Sequence, residues 1–327
     1  MEMRPLGSTG LAVTPIGLGL AAIGRPGYIT LGRGEDLAAD RTPSEMRLRS
    51  HELLDAAYAS GIRYVDAARS YGRAEEFLES WLADRSMTPG AIVVGSKWGY
   101  TYTADWRVGA EVNETKDLSV ATLRRQLAES RALLGGHLCL YQVHSATLES
   151  GVLDDAAVLE ELVAVRGAGI AVGLSASGPR QADVVRRALE TRADGVAVFG
   201  TVQATWNILE TSAGPALDEA RDAGLGVIVK EALANGRLTD RGAGPAADVL
   251  RRIAARHGTT VDAVAIAAPL ANPWASIVLS GAVTVAQLES NVAALGVALT
   301  PGDTADLAAL AEEPERYWAA RSALPWT

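Results

Sequence analysis

Four side chains able to move or steer a proton stand in this sequence at Asp66, Tyr71, Lys97 and His144. A free tyrosine has a pKa of about 10 and is a poor acid near neutral pH. A neighbouring ammonium favours the phenolate and lowers that value. A carboxylate can hold the ammonium in place and keep it charged. An imidazole can donate a hydrogen bond that orients a carbonyl oxygen. Together they suit proton transfer to an oxygen, with no metal required. Each also has a plainer role. A lysine ending an apolar run can reach for water, Asp66 can cap a turn, and a histidine after a strand can be a satisfied structural residue. The case rests on their coming together.

What must bring them together is a set of strands. Short apolar runs alternate with amphipathic helical stretches along the 327 residues, which signals a parallel sheet with crossover helices. The runs are Pro15 to Gly19, Arg63 to Asp66, Ala91 to Ser96, Leu138 to Val143, Ile170 to Leu174, Ala197 to Gln203, Gly226 to Lys230 and Ser276 to Ser280. Between them, Phe77, Leu78, Trp81 and Leu82 share one helical face, as do Val120, Leu123, Leu127 and Leu134. A last helix follows Thr284 as cap, with Val285, Leu288, Val292 and Leu295 as its stripe. Eight strand–helix units predict a closed (β/α)8 barrel over residues 1–327 as one domain, with an open doubly wound sheet as second choice. Such a barrel gathers the residues at its strand C-termini in one mouth. A β-hairpin turning at Gly7 to Gly10 precedes the barrel, and a helical tail runs from Asp303. Gly24 to Asp40 is a long glycine-rich connection with no helical period, and loops of that length are often functional.

Two motifs are discounted. Gly17, Gly19 and Ala22 imitate a dinucleotide fingerprint, but Gly24, Pro26 and Gly27 prevent the helix it needs, so these glycines read as a tight strand exit. Gly173, Ser175 and Ser177 imitate a nucleophile elbow without its second glycine.

The order, spacing and strand placement of Asp66, Tyr71, Lys97 and His144 resemble the catalytic tetrad of the aldo-keto reductase family. The resemblance runs from Leu6–Leu11 to Ser280–Gly281. It implies a (β/α)8 barrel that uses NADPH, with NAD possible, to reduce an aldehyde or ketone. Tyr71 is then the general acid, Lys97 and Asp66 tune it, and His144 positions the carbonyl. The same resemblance implies that Ser175 and Gln203 hold the carboxamide and that Trp206 stacks on nicotinamide where the family usually has tyrosine. Leu233, Gly236 and Leu238 belong to a loop over the pyrophosphate. Gly281, Thr284, Gln287 and Asn291 lie at the end of the coenzyme that can carry a 2′-phosphate. The sequence departs from the family pattern at Ala176, where asparagine is frequent, and at Gln287, where arginine is frequent. Tyr28, Trp98 and Tyr100 are candidate substrate contacts, as are Tyr102, Trp106 and Trp206. Lys230 is expected either beside the coenzyme or buried against Glu231.

The reverse oxidative direction, a cofactor-binding regulatory subunit, and a Schiff-base aldolase with Lys97 as nucleophile are the competing functions. A carboxylate partner for Lys97 would argue against the last. The net charge of -9 disfavours duplex nucleic acid or an anionic membrane as partner. The single Cys139 excludes an internal disulfide and, with no signal-like N-terminus, predicts a cytoplasmic protein. No apolar run approaches the roughly 18 residues of a bilayer span. Lys97, Lys116 and Lys230 are the only lysines among 30 basic residues, which makes each position informative.

Overall fold

The computed structural model describes residues 1–37 and 40–327. Among them, eight parallel strands close into a barrel. They are β1 (Ile16–Gly19), β2 (Tyr64–Asp66), β3 (Val93–Trp98), β4 (Leu138–Ala146), β5 (Ala171–Ala176), β6 (Thr201–Thr205), β7 (Gly226–Lys230) and β8 (Ile277–Ser280). Each pairs with its neighbours in chain order, and β8 closes on β1 through Val278 opposite Ile16. The (β/α)8 prediction holds.

Crossover helices cover the outside: α1 (Pro43–Ala59), α2 (Ala74–Asp84), α3 (Val120–Leu134), α4 (Ala156–Gly167), α5 (Gln181–Glu190), α6 (Gly214–Asp222), α7 (Pro245–His257), α8 (Val261–Leu270) and α9 (Val285–Val292). Several start on a side-chain cap, which satisfies an otherwise orphaned N–H. Thr42 Oγ1 accepts from Glu45 N, Ser119 Oγ from Thr122 N, and Thr284 Oγ1 from Gln287 N. The predicted stripes of α2 and α3 are buried, except for a half-buried Val120. Leu295 is not part of the last stripe. It falls in a 3-10 turn, Ala293–Gly296, and is exposed.

The strand boundaries differ where pairing overrides hydropathy. β3 runs on to Trp98 because Lys97 and Trp98 pair with Gln142 and Val143. β4 runs on to Ala146, with a register shift after Val143 and Ser145 at φ 51. Residues Val196–Ala197 are not part of β6. They pair antiparallel with Arg192–Ala193.

The N-terminal hairpin, Arg4–Pro5 with Ala12–Val13, plugs the end of the barrel opposite the strand C-termini. Leu6 and Val13 are buried there with Tyr64, Val93, Leu140, Ile228 and Ile277. Tyr64 fills the lumen only because its neighbours have no side chain. A Cβ on Gly17 would lie 2.8 Å from the Tyr64 ring, and one on Gly95 would lie 2.5 Å from its hydroxyl. So Gly17 makes room for an interior ring rather than forming a strand exit.

The Gly24–Asp40 connection contains one helical turn, Arg33–Asp36, where none was expected; residues 38 and 39 lie outside the described residues. Arg33 is fully buried and organises the segment. Its guanidinium donates to the carbonyls of Ala22 (2.9 Å), Pro26 (2.7 Å) and Thr327 (2.8 Å). Burial, then the charge of Arg41, lowers its pKa to about 9. The tail is helical over Pro301–Ala308 and Pro314–Ser322 and returns to this segment. Tyr28 and Thr327 exchange backbone hydrogen bonds of 3.1 Å.

Gly17→Ala is expected to cost about 1–3 kcal/mol of stability, because its methyl group overpacks Tyr64, Ile277 and Leu279. The measurement is the urea midpoint; an unchanged midpoint would show that the lumen yields.

Candidate active site

Side-chain alternation along the strands decides what enters the lumen. On β2, Tyr64 and Asp66 share the inner face; on β3, Gly95 and Lys97; on β4, Gln142 and His144; on β6, Gln203 and Thr205. Asp66 is the hub. It accepts from Lys97 Nζ on one oxygen. On the other it accepts from Tyr64 Oη (3.1 Å), Gln203 Nε2 (2.9 Å) and Gln142 Nε2 (3.4 Å). A buried carboxylate with this many donors is well satisfied. Lys97 Nζ also donates to the Ala67 carbonyl (3.0 Å) and to Tyr71 Oη (3.2 Å). The Tyr71 and His144 rings meet edge to face at 5.4 Å. Ser70 Oγ lies 3.4 Å from His144 Nδ1. The four residues singled out in the sequence thus meet at one place.

The electrostatics differ from the sequence reading in one respect. Burial, then the charge of Asp66, raises the pKa of Tyr71 well above 10, with Arg25 opposing. The expectation was a lowered value. Asp66 matches the charge of Lys97, so desolvation of the phenolate dominates. His144 moves the other way. Burial, then Lys97, Arg25, Lys230 and Lys116, holds its imidazole neutral far below the usual histidine range.

A cavity of about 880 Å³ opens over these groups. Asp66, Tyr71, His144, Tyr28, Tyr100, Ser175 and Gln203 line one end. Leu233, Gly236, Gly281, Gln287 and Asn291 line the other. The volume falls within the range of ligand sites. Asn235 Oδ1 is buried there without a partner, an acceptor left for a bound group. The flanking glycines Gly236 and Gly281 leave backbone accessible to a phosphate. These residues fit a dinucleotide coenzyme.

Other candidates lie elsewhere. Trp98 alternates with Lys97, so it points outward into the packed helix layer and is fully buried. Trp206 alternates with Thr205 and packs against Trp274 at 5.5 Å rather than lining the cavity. Leu238 is buried in a separate apolar cluster with Tyr317 and Trp318. Thr284 caps α9 from outside the cavity lining. Trp106 donates to the Arg41 carbonyl (2.7 Å), and neither it nor Tyr102 lines the cavity. Ser175 Oγ accepts from Ser145 N at 2.8 Å.

Several site residues were missed. Arg25 lies 5.3 Å from the Tyr71 ring centre and is paired with Glu114 at 2.9 Å. Tyr64 and Gln142 lie two residues before Asp66 and His144, a spacing that could have revealed them. A second charged group stands beside the first. Lys230 Nζ donates to Thr205 Oγ1 (2.7 Å) and lies 3.9 Å from Glu231, the partner read from the sequence, and it lines the cavity. Glu231 in turn accepts from Arg321 Nε at 2.9 Å. Burial lowers the Lys230 pKa to about 8 against the pull of Glu231. Burial alone would raise Glu231, but Lys230 and Arg321 bring it to about 2.

A parallel eightfold barrel with a buried lysine bridging an aspartate and a tyrosine at its mouth defines a class of carbonyl-handling oxidoreductase. Residues 15–312 match the Aldo/keto reductase family, and the chain belongs to that family. It is an NAD(P)H-dependent oxidoreductase. A pyridoxal 4-dehydrogenase of Microbacterium luteolum is 30% identical over 41% of this chain, a match that spans only 40% of that relative. An NADH-specific methylglyoxal reductase of Escherichia coli (strain K12) is 26% identical, covering 97% of this chain and 100% of its own. An aldo-keto reductase of Bacillus halodurans, solved in its holo form, superposes with a TM-score of 0.72 at 21% identity. It covers 96% of this chain and 97% of that one, and speaks for the fold. Among the described residues no helix is long and apolar enough to cross a membrane.

Asp66→Asn should leave the Lys97 ammonium buried without its carboxylate and lower stability by about 3–5 kcal/mol. Adding Lys97→Met should restore most of that stability while leaving the enzyme inactive. Chemical unfolding and turnover, measured on both variants, check this; a double variant no more stable than the single one would contradict it.

Proposed function

We propose that the enzyme reduces an aldehyde or ketone, with Tyr71 as general acid. The single observation carrying this is the chain of contacts from Asp66 through Lys97 Nζ to Tyr71 Oη at 3.2 Å, opening on the cavity. A reduced nicotinamide coenzyme supplies the hydride when bound. The raised pKa keeps the proton on Tyr71 Oη in the resting enzyme and makes it a weak donor, which the Lys97 ammonium offsets as negative charge develops on the carbonyl oxygen. Lys97 stabilises the phenolate that remains. His144, neutral at working pH, offers an N–H to the same oxygen and orients it. Ser175 and Gln203 stand at the carboxamide end, and Leu233, Gly236 and Gly281 along the phosphates. Gln287 and Asn291 stand at the adenosine end. Trp206, Leu238 and Thr284 act from behind this lining. The family's usual coenzyme is NADPH, and Gln287 departs from the arginine that would favour it.

Tyr28 and Tyr100, which line the cavity beside the tetrad, are the proposed substrate contacts. Reduction is favoured over alcohol oxidation because oxidation needs Tyr71 as base, which its raised pKa opposes. The name of the Escherichia coli relative supports small dicarbonyls as first members of a substrate panel.

Tyr71→Phe should lower turnover by at least about a hundredfold and leave coenzyme affinity nearly unchanged. Coenzyme absorbance and fluorescence titration read the two quantities, and full activity in the variant would remove Tyr71 from the step. The reduction rate should be level from about pH 6 to about pH 9, because Tyr71 keeps its proton below its raised pKa and His144 stays neutral above its lowered one. Alcohol oxidation should climb with pH across the same span. A loss of reduction centred near pH 8 would put Lys230 in control instead.

A further inference from the structure

The two ends of the cavity carry opposite charge. Around the tetrad lie Arg25, Lys97, Lys116, Lys230 and Arg321 against Asp66, Glu114 and Glu231. At the α9 end the lining includes Asp36, Asp240 and Asp262 against Arg241 and, on the same turn as Asp36, the buried Arg33. Nicotinamide has to lie against Tyr71 and His144 for hydride and proton to reach one carbonyl. The adenosine of an extended dinucleotide then falls at the acidic end.

Asp36 is the residue placed to act there. It comes from the helical turn Arg33–Asp36 of the first connection, far in sequence from β8. Its Oδ2 accepts from Gln287 Nε2 at 2.8 Å, on the first turn of α9. Arg241 is already committed to it, with Nη1 at 2.6 Å from Oδ2 and Nη2 at 2.5 Å from Oδ1. The Arg241 side chain also lies across Gly32, where a Cβ would meet its Nε. A dianionic 2′-phosphate at this place would face the Asp36 carboxylate, with Asp240 and Asp262 in the same lining, and an arginine that is not free. A ribose 2′-hydroxyl would instead find a carboxylate to donate to, which is how acidic residues select NAD in dinucleotide sites. The repulsion acts as a penalty against the competitor.

We infer that Asp36, held by Gln287 and Arg241, selects NADH over NADPH in this enzyme. The inference rests on the proposed function and runs against the family's usual coenzyme. The test is a binding measurement, independent of turnover. Wild-type enzyme is titrated with NADH and NADPH by tryptophan fluorescence or calorimetry, and the dinucleotides are competed with ADP-ribose and 2′-phospho-ADP-ribose. NADH and ADP-ribose should bind tighter than their 2′-phosphorylated counterparts by on the order of tenfold or more. Asp36→Asn should shrink that ratio by a similar factor, chiefly through tighter NADPH binding as Arg241 is released. Raised ionic strength should also shrink the wild-type ratio. The fragment comparison on the wild-type protein decides the matter even where the variant folds poorly. Equal or tighter binding of the phosphorylated forms overturns the inference alone, as does an unchanged ratio in folded Asp36→Asn. Failure of both dinucleotides to bind overturns the proposed function and the inference together.

Discussion

The buried ion pair of Asp66 and Lys97 is the constraint that orders the mouth of this barrel. Neither charge is tolerable alone in a water-poor lumen, and each side chain is at most 2% exposed. Asp66 is satisfied by donors from its own strand, from β3, from β4 and from β6. Those strands cannot shift register without stranding a polar group. Tyr64 reaches Asp66 only because Gly17 and Gly95 leave the lumen open to its ring. Chemistry at the top of the barrel therefore depends on packing lower down. The lysine presented to Tyr71 is held at its root rather than free to wander, as the proposed proton transfer requires.

A second framework lies above the first. The connection after β1 crosses the mouth and is anchored at several points. Arg33 gathers the carbonyls of Ala22 and Pro26 at its start and that of Thr327 from the tail. Leu31 N donates to the Asn235 carbonyl at 3.0 Å, tying it to the loop after β7. Arg25 reaches down beside Tyr71 and pairs with Glu114. The tail closes the circle through Tyr28 and Thr327, with Trp326 at 6.2 Å from the Tyr28 ring. A segment without apolar periodicity is thus ordered by carbonyl-to-guanidinium bonds, which hydropathy does not register.

This contrast explains what could be read in the sequence. Barrel strands are apolar and periodic, so their number and order were legible, and so was a tetrad fixed by strand ends. Period-two alternation was available in the same text. Applied to Lys97 and Trp98, or to Thr205 and Trp206, it would have sent both tryptophans outward to the helix layer. Asp36, Arg25 and Arg321 were not legible in this way. Their positions depend on contacts across 251, 89 and 90 residues of chain, made by loops that follow no period. The direction of the Tyr71 shift was also hidden. A lysine nearby argues one way, and only the depth of burial and the closeness of Asp66 reverse it.

The lysines reach beyond the reaction itself. The chain carries Lys97, Lys116 and Lys230 and otherwise relies on arginine for positive charge. Lys97 is buried beneath the cavity, behind Tyr71, and Lys116 and Lys230 lie in its walls. Within these 327 residues no lysine lies away from that mouth. Acylating labels, amine cross-linkers and immobilisation resins that act harmlessly on the surface of most proteins would here be directed to the opening of the proposed site. Burial lowers the pKa of both Lys116 and Lys230, which leaves more of each as free amine.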